Sequence, residues 1–172
     1  MEPACERLFL DFSAKKLNQL FERIRDSVAR LSEQQVWARA SENENAIGNL
    51  LLHLEGNLRQ WIVHGLGGQP DVRVRDREFQ ARGGPTAAEL VTGLEATLSE
   101  AVEIIEKLPP ERLRERIRIQ GYDLTVLEGI YHVVEHFGQH TGQVVFATKR
   151  LTGEDLGFYR HLKAAAHSEK TP

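Results

Sequence analysis

Four stretches of this chain repeat apolar residues at spacings of three and four, and that spacing limits the fold more than any other feature. Leu17, Leu20, Phe21, Ile24, Val28 and Leu31 form one stripe within residues 8–31. Ile47, Leu50, Leu51, Leu54, Leu58, Trp61 and Ile62 form a second, after the polar run SENEN. Leu90, Leu94, Leu98, Val102 and Ile105 make a third, and Ile130, Val133, Val134, Phe137, Val144, Val145, Thr148 and Leu151 a fourth. Residues so spaced share one helix face, so each stripe predicts an amphipathic helix that must bury that face against another. The punctuation agrees. SENEN supplies side chains able to accept the orphan N–H groups of a helix start. Thr86 with Glu89, and Thr125 with Glu128, have the spacing of a capping box. The glycines after His64 with Pro70, the pair Pro109-Pro110, and Gly153 behind Lys149 and Arg150 each suit a helix end.

Between the stripes the sequence is less regular. Ser32-Glu33-Gln34-Gln35 breaks the first pattern, and residues 71–85 read as a long charged connection with paired glycines. Arg116-Ile117-Arg118-Ile119 alternates and predicts a short strand or extended arm; no sheet is expected beyond that. Residues 156–166 predict a short closing helix. The expected architecture is all-α: a four-helix bundle with a long crossover connection between helices 2 and 3 and a short C-terminal helix, in one domain over residues 1–172. The length of 172 residues suits one core. The net charge of −3 excludes the strongly basic character of a dedicated nucleic-acid binder. The single cysteine, Cys5, forms no internal disulfide and no cysteine-based zinc site. No apolar run reaches a membrane span, and MEPACERLF does not read as a signal peptide, so a cytoplasmic protein without a membrane or nucleic-acid partner is expected.

Chemistry concentrates in the histidines. Of seven, three lie within YHVVEHFGQHTGQVV as His132, His136 and His140. On a helix, positions four apart are neighbours, so His132 with His136, or His136 with His140, can clasp one ion, whereas the outer two cannot share it without distortion. A mononuclear site then needs a ligand from another helix. His53, central in NLLLHLEGNL and beside the core stripe, is the best candidate. His64 lies on the same stripe but about 16 Å further along the axis, which excludes it from the same site. Any one such histidine is more often an ordinary core residue, but several buried imidazoles without partners cost free energy that a metal would offset. Three neutral imidazoles leave an open coordination position, the pattern of a catalytic rather than a closed site. There is no Glu-x-x-His for a di-iron carboxylate centre, no phosphate-binding loop, no G-x-S-x-G and no dinucleotide fingerprint.

Two segments, AIGNLLLHLEGNLRQWI and HVVEHFGQHTGQVVF, with their order and separation, resemble the DinB-like superfamily of four-helix bundles described as metal-dependent hydrolases. The second is similar to that group's H-x-x-x-H-x-G-Q element. The resemblance implies a metal triad at His53, His136 and His140, with His132 as an extra. It also implies a divalent ion such as zinc, nickel or a similar first-row metal, and a homodimer. For some members the implied activity is S-transfer with a low-molecular-weight thiol cosubstrate. Where the group often has Arg after the last histidine, this chain has Thr141, a departure that leaves the metal set intact and removes the arginine. Gly142 either admits a close helix or is a tolerated helical glycine. Gln143 either orients a ligand or is a polar edge residue, and Asn49 and Asn57, four residues to either side of His53, are placed to support it.

Three functions follow as alternatives. The first is a metal-dependent thiol S-transferase or hydrolase acting on a small-molecule substrate. The second is a non-catalytic metal- or ligand-binding dimeric bundle. The third is a metal-free bundle with core histidines. No general base is identified: Glu135 points about 100° away from His136 on the helix, and Tyr131 has no assigned role.

Overall fold

A computed structural model describes residues 4–163, with only the backbone given at His161 and Lys163. The chain opens with α1 (Cys5–Val28), followed by a single turn, α2 (Glu33–Val36). Helix α3 (Ile47–Leu58) runs on as a π-helical segment, Arg59–His64. A short α4 (Arg75–Gln80) precedes α5 (Ala87–Lys107). A 3-10 turn, Pro110–Arg114, leads to strands β1 (Arg116–Ile119) and β2 (Tyr122–Thr125) and then to α6 (Val126–Thr152).

The four long helices pack in a ring, with α1 and α3 each lying between α5 and α6. The long connection after α3 therefore joins helices that lie side by side, while the steps from α1 to α3 and from α5 to α6 cross the bundle. All four apolar stripes face inward. Leu10, Leu17 and Ile24 of α1, Leu54 and Leu58 of α3, Leu94 and Ile105 of α5, and Ile130 and Val133 of α6 are fully enclosed. Leu151, expected inside, is 39% exposed because it falls in the last turn of α6, beyond the ring.

Thr86 and Thr125 cap α5 and α6 through complete capping boxes, with Glu89 and Glu128 reaching back to the cap N–H groups. Gly153 ends α6 with a left-handed φ of 73°, the conformation for which glycine is favoured. The start of α3 differs from the expectation. No SENEN side chain caps it; Ala46 holds the cap position and donates its N–H to Asn49 Oδ1 at 3.0 Å.

Three further elements depart from the sequence reading. Ser32 to Gln35, read as a break, is a capped helical turn, since Ser32 and Gln35 form their own capping box. The 116–119 segment is a strand of a two-stranded antiparallel hairpin, closed by Gln120 and Gly121, both at positive φ. The 71–85 connection contains α4, which is too short for a helical stripe to show in sequence. The expected 156–166 helix is not found at residues 156–159, which are irregular; a 3-10 turn covers Arg160–Lys163, and residues 164–166 lie outside the described residues. Among the described residues no helix is long and apolar enough to cross a membrane.

Candidate metal centre

Helices α3 and α6 bring three imidazoles to one point. His53 sits mid-helix on α3 at 6% exposure, and His136 and His140 lie one turn apart on the facing side of α6. His136 Nε2 is 3.0 Å from His53 Nε2 and 3.1 Å from His140 Nε2. One ligand nitrogen from each residue lies within 4.8 Å of the others. Each outer ring is oriented from its far side. His53 Nδ1 is 2.8 Å from Glu78 Oε2, and His140 Nδ1 is 2.6 Å from Gln143 Oε1. A carboxylate or amide oxygen only accepts, so in the neutral rings these contacts put the proton on Nδ1 and turn an Nε2 lone pair to the centre. At His53 the 2.8 Å carboxylate contact is shorter than the 3.1 Å approach of Arg73 Nη2 to the same Nδ1.

That arrangement tests whether a cation fits. A neutral His136 has one proton, and its Nε2–H satisfies only one of the two acceptors that face it. A cation at the common point satisfies all three nitrogens. Nitrogens about 2.0–2.1 Å from a tetrahedral zinc lie about 3.3 Å apart, close to the spacings of 3.0 and 3.1 Å. The electrostatics agree. Burial, reinforced by the neighbouring rings of His140 and His53, pushes His136 down to about 3. Burial also lowers His140, against the opposing bond to Gln143. Both are thus neutral at physiological pH, the state a metal ligand requires.

The other expected residues have separate places. His132 is half-buried and packs against Trp61 with the rings tilted by 39° and their centres 4.2 Å apart, on the side of His136 away from His140. Trp61 belongs to the π-helical segment, a widened turn of a kind often found at functional sites. His64 is bound to Gln69 O at the helix end, apart from the cluster. Asn49 is hydrogen-bonded not to His53 but to Arg39 and the carbonyls of Glu78 and Ala81. Asn57 is buried within α3. Thr141 points into the core and donates to Phe137 O. Gly142 faces open space, so no helix approaches it. Glu135 is exposed and bound to Gln139, Tyr131 is 61% exposed, and Cys5 is exposed.

Glu78 and Arg73, both within the stretch read as a long charged connection, complete the surroundings. Arg73 Nε and Nη2 grip the two Glu78 oxygens at 2.6 and 2.8 Å, and Arg73 Nη1 donates to Gln60 Oε1 at 3.0 Å. Burial alone would raise the Glu78 carboxyl, but the bonds from Arg73 and His53 and the charge of Arg73 outweigh it and hold the group below the ordinary carboxylate range. Gly56 is the seat for the pair: a Cβ there would collide with Glu78 Oε1 and Arg73 Nε. A glycine inside the helix was the available signal, since it can mark a close approach by another part of the chain.

The family described as a protein of unknown function (DUF1572) matches residues 4–163. No curated protein matches the chain. Among solved structures, the conserved protein of locus from Enterococcus faecalis aligns with a TM-score of 0.69 at 14% identity, covering 84% of this chain and 97% of that one. A DinB-like protein of Bacillus subtilis aligns with a TM-score of 0.65 at 16% identity, covering 86% of this chain and 96% of that one. At these identities the likeness shows the fold, which is that of a DinB-like protein.

Proposed function

The chain belongs to the DUF1572 family, a DinB-like family, and we propose that it binds one divalent metal ion through His53, His136 and His140 and uses it in chemistry on a small molecule. The carrying observation is that two Nε2 atoms, each fixed as an acceptor from behind, converge on a third. Three neutral imidazoles of borderline softness suit zinc, nickel or a similar first-row ion and leave a coordination position open. Such an ion lowers the pKa of a water or thiol that reaches it. The chain's own part is to hold the His53 and His140 rings in one tautomer, through Glu78 and Gln143, at the seam between α3 and α6. The reaction classes that suit this site are hydrolysis and S-transfer with a low-molecular-weight thiol, in a protein that pairs as a homodimer.

One observation favours a second reading, a non-catalytic metal- or ligand-binding bundle. The carboxylate nearest the cluster, Glu78, is committed to Arg73 and His53, and Glu135 faces solvent. Comparing metal-loaded and chelator-stripped protein with a small thiol and a thiol-reactive electrophile, and with ester substrates, separates the two. Turnover that requires metal and is lost in His136→Ala supports the enzyme. Stoichiometric metal with no turnover of either substrate class supports the binding module.

A further inference from the structure

We propose that Glu78 is the positioning residue of the three-histidine centre, holding His53 in the tautomer that aims Nε2 at the ion, and that Arg73 and Gly56 exist to seat it there. The inference rests on the metal reading above and assigns a role to a segment, residues 71–81, that no feature of the helical pattern singles out.

Four observations carry it. First, the His53–Glu78 contact is enclosed, with side-chain exposures of 7% and 9%, so water does not compete for Nδ1. Second, every atom of the carboxylate is used: Oε2 accepts from His53 and Arg73, and Oε1 from Arg73. Third, the Arg73 side chain is only 3% exposed, and its three donor nitrogens are engaged by Glu78 and Gln60. Nη2, whose shorter bond goes to Glu78 Oε2, also lies 3.1 Å from His53 Nδ1, so the carboxylate separates the two donors electrostatically. A buried ion pair of this kind adds little net stability compared with apolar side chains of similar volume. Its presence under a histidine is therefore better explained by what it does to that histidine. Fourth, Asn49 fastens the strap to α3 by donating to the carbonyls of Glu78 and Ala81, at 2.8 and 3.0 Å. The strap is thus pinned to α3 at Asn49, His53 and Gly56, over two turns of the helix.

The consequence is chemical. An imidazole whose Nδ1–H is given to a carboxylate is fixed in orientation and is a more basic ligand at Nε2. His140 receives the weaker version of the same support from the neutral Gln143. His136 Nδ1 is buried with no partner at all. The centre is therefore graded: one ligand backed by an anion, one by an amide, one by nothing.

The test uses the full chain and cobalt(II) as the probe. In metal-free protein with nitrogen-15 histidine, long-range proton–nitrogen spectra should show His53 protonated at Nδ1 in the wild type and in Glu78→Gln, which keeps an acceptor. In Glu78→Leu they should show a mixture of tautomers. Cobalt affinity should fall by about 10–100-fold in Glu78→Leu, with Glu78→Gln between it and wild type, and the visible cobalt bands should shift in both. A strap with only a structural role would lower the melting temperature in step across the variants and leave tautomer and cobalt bands unchanged. His53 protonated at Nε2 in the wild type overturns the proposal without any variant. Unaltered cobalt affinity and bands in Glu78→Leu overturn the positioning role alone, whereas failure of the wild type to bind cobalt overturns the metal reading and this role with it.

Discussion

Helices α1 and α3 lie across the same bundle, and both bury polar side chains, but they satisfy them in opposite ways. On α1, Ser13 and Ser27 donate to the carbonyls of Phe9 and Arg23, four residues back on the same helix. Nothing outside α1 is needed, and the rest of its inward face is Leu10, Ala14, Leu17, Phe21, Ile24 and Val28. On α3, Asn49 reaches Glu78 and Ala81, 29 and 32 positions away, and His53 reaches Glu78 and His136, 25 and 83 positions away. Local satisfaction costs the fold little and tolerates change. Satisfaction through three separate segments requires all of them to be placed first, and leaves orphaned groups when any is lost. The contrast sets a locally satisfied α1 side against an α3–α6 seam where the proposed metal site lies.

The largest effect that should separate the two sides is on metal-linked stability. A ligand that binds only the native state adds stability. Zinc should therefore raise the melting temperature of the wild type and not that of His136→Ala, as followed by calorimetry with and without chelator. Equal melting temperatures with and without zinc in the wild type would erase the distinction between the sides.

Next in size is the buried pair. Arg73→Met leaves the Glu78 charge enclosed without its partner and should cost about 3–5 kcal/mol in urea unfolding of the metal-free protein. On the α1 side, Leu17→Ala should cost about 2–5 kcal/mol by opening a cavity. Yet Leu17→Ala should leave zinc stoichiometry unchanged, whereas Arg73→Met should also weaken zinc binding. Equal zinc affinity in the two variants would show that the strap contributes packing alone.

A smaller effect depends on pH. His136 titrates at about 3 in the fold and near 6.5 in the unfolded chain. The unfolded state thus takes up the proton first as pH falls. The stability of the metal-free protein should be complete above pH 6.5 and decline between 6.5 and 3, at up to about 1.4 kcal/mol per pH unit from this residue. His136→Phe should flatten that decline when unfolding is compared at pH 7.5 and pH 5. The depressed Glu78 carboxyl acts in the same direction but only at more acid pH. Smallest of all, Thr86→Ala should cost about 1 kcal/mol through the lost cap, with no change in metal content.

How much of this was legible in the sequence follows from the same contrast. The long helices were legible because burying a helix face demands apolar residues at three- and four-residue spacing, and because Thr86, Thr125 and Gly153 mark termini chemically. That His53 meets a histidine pair of α6 could be anticipated because i, i+4 histidines share a helix face and His53 lies mid-stripe on another helix. The spacing left His132 with His136 and His136 with His140 both open, and the resemblance to DinB-like proteins implied the second pair. The strap could not. Its helix has only six residues, and Arg73 and Glu78 are five apart, outside the helical ion-pair spacings. The contact with His53 is set by how the connection folds back over α3, which no local pattern encodes; Gly56 was its one trace. The hairpin was half legible, as a strand without its partner, because Tyr122 to Thr125 is only four residues long and runs straight into the capping box of α6, where Thr125 reads as a helix start.

The account rests on one ion held between α3 and α6, and the metal-to-chain ratio of purified, tag-free protein by elemental analysis tests it most directly. The prediction is about one divalent ion per chain in the wild type and in His64→Ala, and none in His53→Ala, because removing the α3 ligand dissolves a site built across two helices. An unchanged ratio in His53→Ala, or no metal in the wild type even after reconstitution, would contradict it.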